Sequence, residues 1–317
     1  MDVINITSIS DIEIQVADFN FDTIKLNRLT DGHPMVRIGI EIFKLEQFYT
    51  LLDCDKIEIA NFFATIEATY LEQHFHNATH AADVMQSVYS LLVNSPVNKH
   101  LEPLDRLSIV IAAATHDIAH PGVNNTFLAN KNDELLQKFG KESTLEKFHF
   151  SIALKVIEET RILENLNQYD SSRVTALIKE LILATDPGKH SINTNEFLKI
   201  KEDINLENSS HILRVLKQAI ICADISGQAR KLEIATQWGE RVYEEFFRLG
   251  DLEMELGLEV QKLNDRNTVD VNKGQVGFIN FCVKPVFKAW NEVFRNEFSS
   301  KILENLDFNC QQYKKLC

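Results

Sequence analysis

The chain has 317 residues, of which 44% are hydrophobic and 25% are charged, and its formal net charge is −13. This balance is ordinary for a globular protein with one large domain or two medium ones. The negative charge argues against a nucleic acid as the main partner, because nucleic-acid binding depends on Lys and Arg neutralising phosphates.

Helical periodicity dominates the chain. Only 11 Gly and 6 Pro are present, and this scarcity of turn residues favours long helices. Asp11–Val16 alternates like a strand, but it is short. Apolar residues at helical spacing predict four helices, over 57–72, 104–115, 174–185 and 211–225.

Two polar stretches interrupt this pattern. Residues 189–210 are predicted to be a loop around at most one short helix, and residues 264–274 a second loop before the apolar stretch 275–290. We find no internal repeat and no strong boundary. The sequence therefore predicts an all-α protein with a single domain over residues 1–317.

The cysteines and the apolar runs bear on location. The five cysteines are scattered and lack C-x-x-C spacing, so they indicate reduced thiols without a disulfide framework or a thiolate zinc site. The acidic N-terminus does not have the pattern of a signal peptide. No run of 18 apolar residues is present, which argues against a membrane span. We therefore expect a cytoplasmic protein that binds neither membrane nor nucleic acid.

Two histidine pairs indicate a functional cluster. His76 and His80, and likewise His116 and His120, are spaced i,i+4 and would share one helical face. Both pairs adjoin apolar segments, where an unpaired polar group is costly. A neighbouring side chain could satisfy each histidine, and that is the usual explanation of an isolated pair. Two such pairs, with Asp117 beside one of them, favour metal binding instead.

A further carboxylate strengthens the metal hypothesis. Asp224 ends an apolar segment, and a carboxylate in that position needs a partner such as a cation. Imidazole with carboxylate suits zinc, whereas carboxylate with water suits magnesium or manganese. A mixed site without cysteine indicates hydrolysis at a centre of two metal ions.

Six sequence blocks point to a known family. In chain order they are FHNATHAADV (75–84), HDIAHPGVNNTFL (116–128), LILATD (181–186), CADIS (222–226), EEFFRLGD (244–251) and GQVGFI (274–279). The chain resembles the class I cyclic nucleotide phosphodiesterases in these blocks, in their order and in their spacing over about 75–290. The resemblance implies a compact catalytic domain of many helices with a deep, metal-containing pocket.

The resemblance also implies a metal centre and a mechanism. His80, His116, Asp117 and Asp224 would hold a tight ion, commonly zinc, and Asp117 would bridge to a second ion, magnesium or manganese. A hydroxide between the ions would attack phosphorus. His76 would protonate the departing 3′ oxygen, where general acid catalysis is most needed.

The resemblance assigns the remaining site residues. His120 would act in catalysis, and Glu146 would lie around the metal-bound waters. Substrate contacts would come from Gln275, Phe278, Val242, Asn125 and Asp186. The Gln275 amide would bind the edge of the purine while Phe278 and Val242 cover its two faces. Taken alone, Gln275 would be interpreted as an exposed loop residue and Phe278 as ordinary core.

Three positions depart from the family pattern. Ala119 stands where many members carry Asp, Gly227 replaces an Asn of the cAMP-specific members, and Ala235 stands where some cAMP enzymes carry Tyr. The last two changes weaken any inference about base selectivity. The residues at 120–130 (HPGVNNTFLAN) and 274–279 (GQVGFI) are more similar to those of the cAMP-selective members, so cAMP is favoured over cGMP as the substrate.

Two other functions compete with this hypothesis. A different metal phosphohydrolase of the HD type, acting on another nucleotide, would explain the same metal ligands but not the purine-binding residues. A non-catalytic module that binds cyclic nucleotide would not need a metal-activated nucleophile. No regulatory domain is visible in the sequence. Glu244–Glu245 and Asp251–Glu259 are predicted to be solvated helical faces, and Trp238 and Trp290 to be core.

Overall fold

A computed structural model describes residue 9 and residues 11–317 of the chain. In this part of the chain the regular elements are all helical, which confirms the all-α prediction. The α-helices described are α1 (Thr23–Leu29), α2 (Pro34–Leu45), α3 (Phe48–Leu52), α4 (Lys56–Thr69), α5 (Ala78–Val93), α6 (Pro103–Thr115), α7 (Asn125–Lys131), α8 (Glu134–Phe139), α9 (Thr144–Thr160), α10 (Gln168–Ile182), α11 (His190–Leu198), α12 (Ser209–Asp224), α13 (Leu232–Glu255), α14 (Val271–Phe278), α15 (Lys284–Val293) and α16 (Glu297–Lys315).

Shorter helical turns complete the backbone. Four of them are 3₁₀ turns and one is a π-helical turn between α14 and α15: Pro96–His100, Leu183–Thr185, Pro187–Lys189, Ser226–Ala229 and Ile279–Val283. None of the helices in the described part is both long and apolar enough to cross a membrane.

The centre of the fold is the pair α5 and α6. The two helices pack against each other, α10 packs on α6, and α12 packs on α5. Residues 107–114 of α6 are buried on every side, as the apolar run predicted. Trp238 and Trp290 are also buried, which confirms the prediction that both are core. Helices α5, α6 and α12 therefore pack into one frame, which positions the helix ends relative to one another.

The start of α5 is fixed by its N-cap. The Asn77 side chain accepts hydrogen bonds from the backbone N–H groups of Thr79, at 2.9 Å, and His80, at 3.2 Å. Such a cap satisfies amides that a helix leaves unpaired at its N-terminus. His80 consequently lies in the first turn of α5 with its backbone held in place.

A buried arginine ties the segment before α1 to α5. Arg230 is fully buried and pairs with Asp83 at 3.0 Å. Its guanidinium also donates to the carbonyl oxygens of Phe19, at 2.6 Å, and Phe21, at 2.8 Å, and to Gln86 Oε1 at 2.9 Å. A buried charge pair is stable only when its remaining donors are also satisfied, and here they largely are.

The strand-like segment Asp11–Val16 forms no strand. Its polar backbone atoms bind side chains instead: the Ile12 carbonyl accepts from Arg37 Nε at 2.7 Å, and the Val16 carbonyl accepts from Gln86 Nε2 at 2.8 Å. Since the described residues offer no neighbouring strand, side chains satisfy these carbonyls.

The two predicted loops have different outcomes. One short helix, α11, lies within 189–210, as expected. The loop predicted over 264–274 is too long, because α14 already begins at Val271 with Asp270 as its N-cap. Gly274 and Gln275 are therefore helical. The sequence predicts a loop at Gly274, but the Asp270 cap starts the helix before it.

Candidate active site

Four side chains from separate parts of the chain meet at one point. His80 comes from the first turn of α5, His116 and Asp117 directly follow α6, and Asp224 ends α12. Their potential ligand atoms all lie within 4.8 Å of one another. His80 Nε2 and His116 Nε2 each lie 3.3 Å from Asp224 Oδ1, and His116 Nε2 lies 3.1 Å from Asp117 Oδ2. The structure thus brings together the four residues expected to bind metal.

The chemistry of this cluster fits a cation. His116 is fully buried, and its Nδ1–H donates to the Ala113 carbonyl at 2.9 Å, so Nε2 is the nitrogen that faces the two carboxylates. His116 Nε2 and His80 Nε2 are buried without a hydrogen-bond partner. Burial lowers the pKa of His116, but Asp117 and Asp224 outweigh it and raise that pKa well above its usual range. The site therefore requires positive charge, and two imidazoles with two carboxylates are a donor set that suits zinc.

Asp117 also faces a second group. Its Oδ1 lies 3.7 Å from His149 Nε2, and Asp117, His120 and His149 form another cluster of potential ligands. His149 Nδ1–H donates to the Ile118 carbonyl at 2.7 Å, and burial lowers the pKa of His149 to about 4. His149 is therefore neutral with a free Nε2, and it is a site residue for which the sequence predicts no role. Asp117 stands between the two clusters, as a bridging carboxylate would.

His76 is held by a buried glutamate. Its Nδ1 lies 2.5 Å from Glu245 Oε1, and Glu245 Oε2 accepts from the backbone N–H groups of Phe75, at 2.7 Å, and His76, at 3.0 Å. The opposite nitrogen, Nε2, lies 4.0 Å from Asp117 Oδ2. Burial lowers the pKa of His76, but Glu245, followed by Asp117 and Asp224, raises it to about 9. His76 therefore carries a proton whose Nε2–H points toward the metal-ligand cluster.

His120 lies against His76 in a parallel arrangement. The two ring centroids are 4.1 Å apart at 19°. Gly122 N–H donates to His120 Nδ1 at 3.0 Å, which leaves the ring proton on Nε2. Burial and the nearby His76 hold the pKa of His120 well below its usual range. His120 is consequently a neutral donor beside the protonated His76.

Three more predicted residues surround the start of α9. The Asn125 amide donates to both oxygens of Glu146, at 3.2 and 3.3 Å, and its oxygen accepts from Leu145 N at 3.0 Å. Ser143 donates to Asp186 Oδ2 at 2.6 Å. Burial, together with the Asp186 charge, raises the pKa of Glu146 to about 7. Glu146 can therefore exchange a proton near neutral pH.

The predicted base-binding residues lie on α13 and α14. Gln275 is 2% exposed inside a helix, so it is not an exposed loop residue. Phe278, one turn further along α14, is 38% exposed, so it is not core. Val242 is half-buried on α13. The ordinary interpretations of Gln275 and Phe278 therefore both fail in the structure.

The departures from the family pattern have local structural consequences. Ala119 adopts φ +60°, the left-handed region that Asp tolerates better than Ala. A Cβ on Gly227 would lie 3.1 Å from the Cβ of Trp238, so a larger residue would press on that buried indole. Ala235 is fully buried, which leaves little room for a Tyr without rearrangement.

The prediction of solvated faces on α13 is wrong for two carboxylates. Glu245 is 4% exposed and binds His76, and Glu253, within the stretch 251–259, is also buried. Both belong to the buried stripe that includes Trp238 and Leu249 at helical spacing. That spacing was a signal in the sequence, because a carboxylate on a buried stripe needs a specific partner.

Comparisons with known proteins identify the family. The sequence matches the family described as 3′5′-cyclic nucleotide phosphodiesterase over residues 75–306. A protein of Caenorhabditis elegans, "Probable 3′,5′-cyclic-AMP phosphodiesterase pde-4", is 30% identical over 307 residues, which is 94% of this chain and 45% of that protein. This chain thus spans less than half the length of that relative.

A solved structure, that of LmjPDEB1 in complex with IBMX, has the same fold. The TM-score is 0.90 at 22% identity, and the match covers 98% of this chain and 96% of the other. The family match itself extends over well more than half of the sequence. The chain therefore belongs to the 3′,5′-cyclic nucleotide phosphodiesterase family.

Proposed function

We propose that this chain hydrolyses a 3′,5′-cyclic nucleotide to the 5′-monophosphate, with cAMP favoured over cGMP. The observation that carries the proposal is the pair of buried, unpartnered nitrogens of His80 and His116 facing Asp117 and Asp224, with the protonated His76 beside them. Similarity to a relative whose name specifies cyclic AMP supports the choice of base.

Two divalent cations belong to this proposal. His80, His116, Asp117 and Asp224 would hold a tight zinc ion, and Asp117, with the neighbouring His149, would face a second ion, magnesium or manganese. When bound, such a pair polarises the phosphoryl group and makes a water nucleophilic at neutral pH.

The chain's own residues would handle the leaving group. His76 would donate its Nε2 proton to the departing 3′ oxygen, and Glu245 would hold the ring by accepting from Nδ1–H. A positioned general acid contributes about 10²–10⁴ in rate. His120 would steady His76 by stacking, and Glu146, bound by Asn125, would support waters near the reacting phosphate.

The base would bind between α13 and α14. In the proposal the Gln275 carboxamide pairs with the edge of the purine, and Phe278 and Val242 cover its faces. Asn125 and Asp186 would lie toward the phosphate and ribose. The exposed ring of Phe278 supports this role, since an aromatic side chain left accessible can stack on a base.

We further propose one domain over residues 1–317, acting in cyclic nucleotide signalling in the cytoplasm. The largest hydrophobic cluster contains residues from Val16 to Tyr313, which supports a single domain. The five cysteines are free in the structure, which supports a reducing compartment. Fractionation of cells that express the protein would test the location.

The test of the proposed function is a side-by-side assay on cAMP and cGMP with separation of the products. Formation of the 5′-monophosphate supports the proposal. Turnover of a nucleoside mono- or triphosphate, with both cyclic nucleotides left intact, would support a different HD-type phosphohydrolase. Binding of a cyclic nucleotide without turnover would support a non-catalytic module.

A further inference from the structure

Helices α13 and α14 each place a glycine against a side chain of the other helix. A Cβ added to Gly239 of α13 would lie 2.4 Å from Gln275 Nε2 and 3.2 Å from its Cδ. A Cβ added to Gly274 of α14 would lie 1.7 Å from the hydroxyl oxygen of Tyr243. Real Cβ atoms do not approach other atoms this closely, so each helix needs a glycine opposite a side chain of the other.

The contact at Gly239 determines where the Gln275 amide lies. Gln275 is buried, and among the described residues we find no hydrogen bond to its carboxamide. The neighbouring amide of Gln228 does not hold it: Gln228 Nε2 donates to the Ala235 carbonyl at 3.0 Å, and Gln228 Oε1 has no hydrogen-bond partner. Packing against the bare backbone at Gly239, rather than a protein hydrogen bond, therefore positions this carboxamide.

We propose that Gly239 is a positioning residue for purine recognition, which acts by admitting the Gln275 amide against α13. The inference rests on the proposed function, in which this amide pairs with the base. A methyl group at position 239 would displace the end of a flexible side chain and leave the two helices in place. The fold would survive, while the amide would miss the donors and acceptors of the base.

The chain provides a matched control. Gly277 lies in α14, two residues after Gln275, and a Cβ added there would meet nothing within 4 Å. Gly239→Ala and Gly277→Ala add the same methyl group and gain the same helix propensity. A displaced hydrogen-bond partner leaves base atoms unpaired, so we expect G239A to raise KM for the cyclic nucleotide about 10- to 100-fold. Its kcat and metal content should stay near wild type, and G277A should match wild type throughout.

A double-mutant cycle shows whether Gly239 acts through Gln275. In a Gln275→Ala background the clashing amide is gone, so G239A should cause little further change in KM. If G239A folds poorly, the thermal unfolding of the double variant relative to Q275A decides instead, and recovery of stability supports the contact.

The outcomes separate this inference from the proposed function. Any one of three results would overturn the role of Gly239. The first is a KM in G239A equal to that of wild type, and the second is a KM in the double variant that equals the product of the two single effects. The third is a double variant that stays as unstable as G239A. A wild-type protein that hydrolyses neither cAMP nor cGMP would overturn the proposed function as well.

Discussion

Replacing Glu245 with Gln tests how the proposed general acid is prepared. The carboxylate accepts from His76 Nδ1 and from the backbone N–H groups of Phe75 and His76. Gln has the same shape but only one acceptor oxygen. If that oxygen still accepts from the two backbone N–H groups, the new NH₂ group faces His76 Nδ1. An NH₂ group only donates, so Nδ1 must then be unprotonated. The substitution thus removes both the charge and the hydrogen bond that favour the imidazolium.

The size of the effect follows from the pKa of His76. Glu245 is the largest of the charges that raise this pKa from 6.5 to about 9. At pH 8 a group with a pKa of about 9 is about nine-tenths protonated, whereas one at the usual 6.5 is about one-thirtieth protonated. Since a general acid acts in its protonated form, kcat at pH 8 should fall in E245Q, by about 30-fold when the substitution returns the pKa of His76 to 6.5.

The assay is kcat against pH for wild type, E245Q and the control Glu244→Gln, which changes the half-exposed neighbour. We expect the raised pKa of His76 to maintain kcat up to about pH 9 in wild type. The alkaline limb should shift to lower pH in E245Q, so the two enzymes should differ much less at pH 6 than at pH 8. An unchanged alkaline limb, or an equal loss of kcat at both pH values, would refute the reasoning.

Two further substitutions test the metal ligands and the buried ion pair. Asp224→Ala removes a carboxylate that lies 3.3 Å from both His80 Nε2 and His116 Nε2, so tightly bound metal and activity should both be lost. Elemental analysis of the purified variant measures the metal, and Asp251→Ala, at an exposed carboxylate, is the control. Arg230→Met leaves Asp83 buried and unpaired, which should lower the free energy of unfolding by about 3–5 kcal/mol in chemical denaturation. A loss below about 1 kcal/mol would contradict the importance assigned to that pair.

The helices were the most predictable part of the molecule. The apolar segments 104–115 and 211–225 correspond closely to α6 and α12, because a helix buried on most sides has apolar residues at nearly every position. The strand suggested at Asp11–Val16 failed for a physical reason. Alternation predicts a strand only when a partner strand exists, and here side chains of Arg37 and Gln86 bind the backbone.

Only part of the candidate site could be predicted from the residue pattern of the sequence. The spacing of the histidine pairs indicated a metal, but the convergence of His80, His116 and Asp224 was implied by the family resemblance. The charge pattern predicts a solvated Glu245, because its partner, His76, is 169 residues away in the sequence. Local charge patterns carry no information on such distant contacts. His149 was missed for the same reason, since Asp117 is its neighbour only in the fold.

The most direct measurement is the rate of cyclic AMP hydrolysis by the purified protein before and after a strong chelator, and again after zinc and magnesium are restored. We predict that the protein forms the 5′-monophosphate, that this activity is lost on chelation, and that it returns when the metals are restored. Hydrolysis that continues unchanged after all bound metal has been removed would contradict a mechanism built on His80, His116, Asp117 and Asp224.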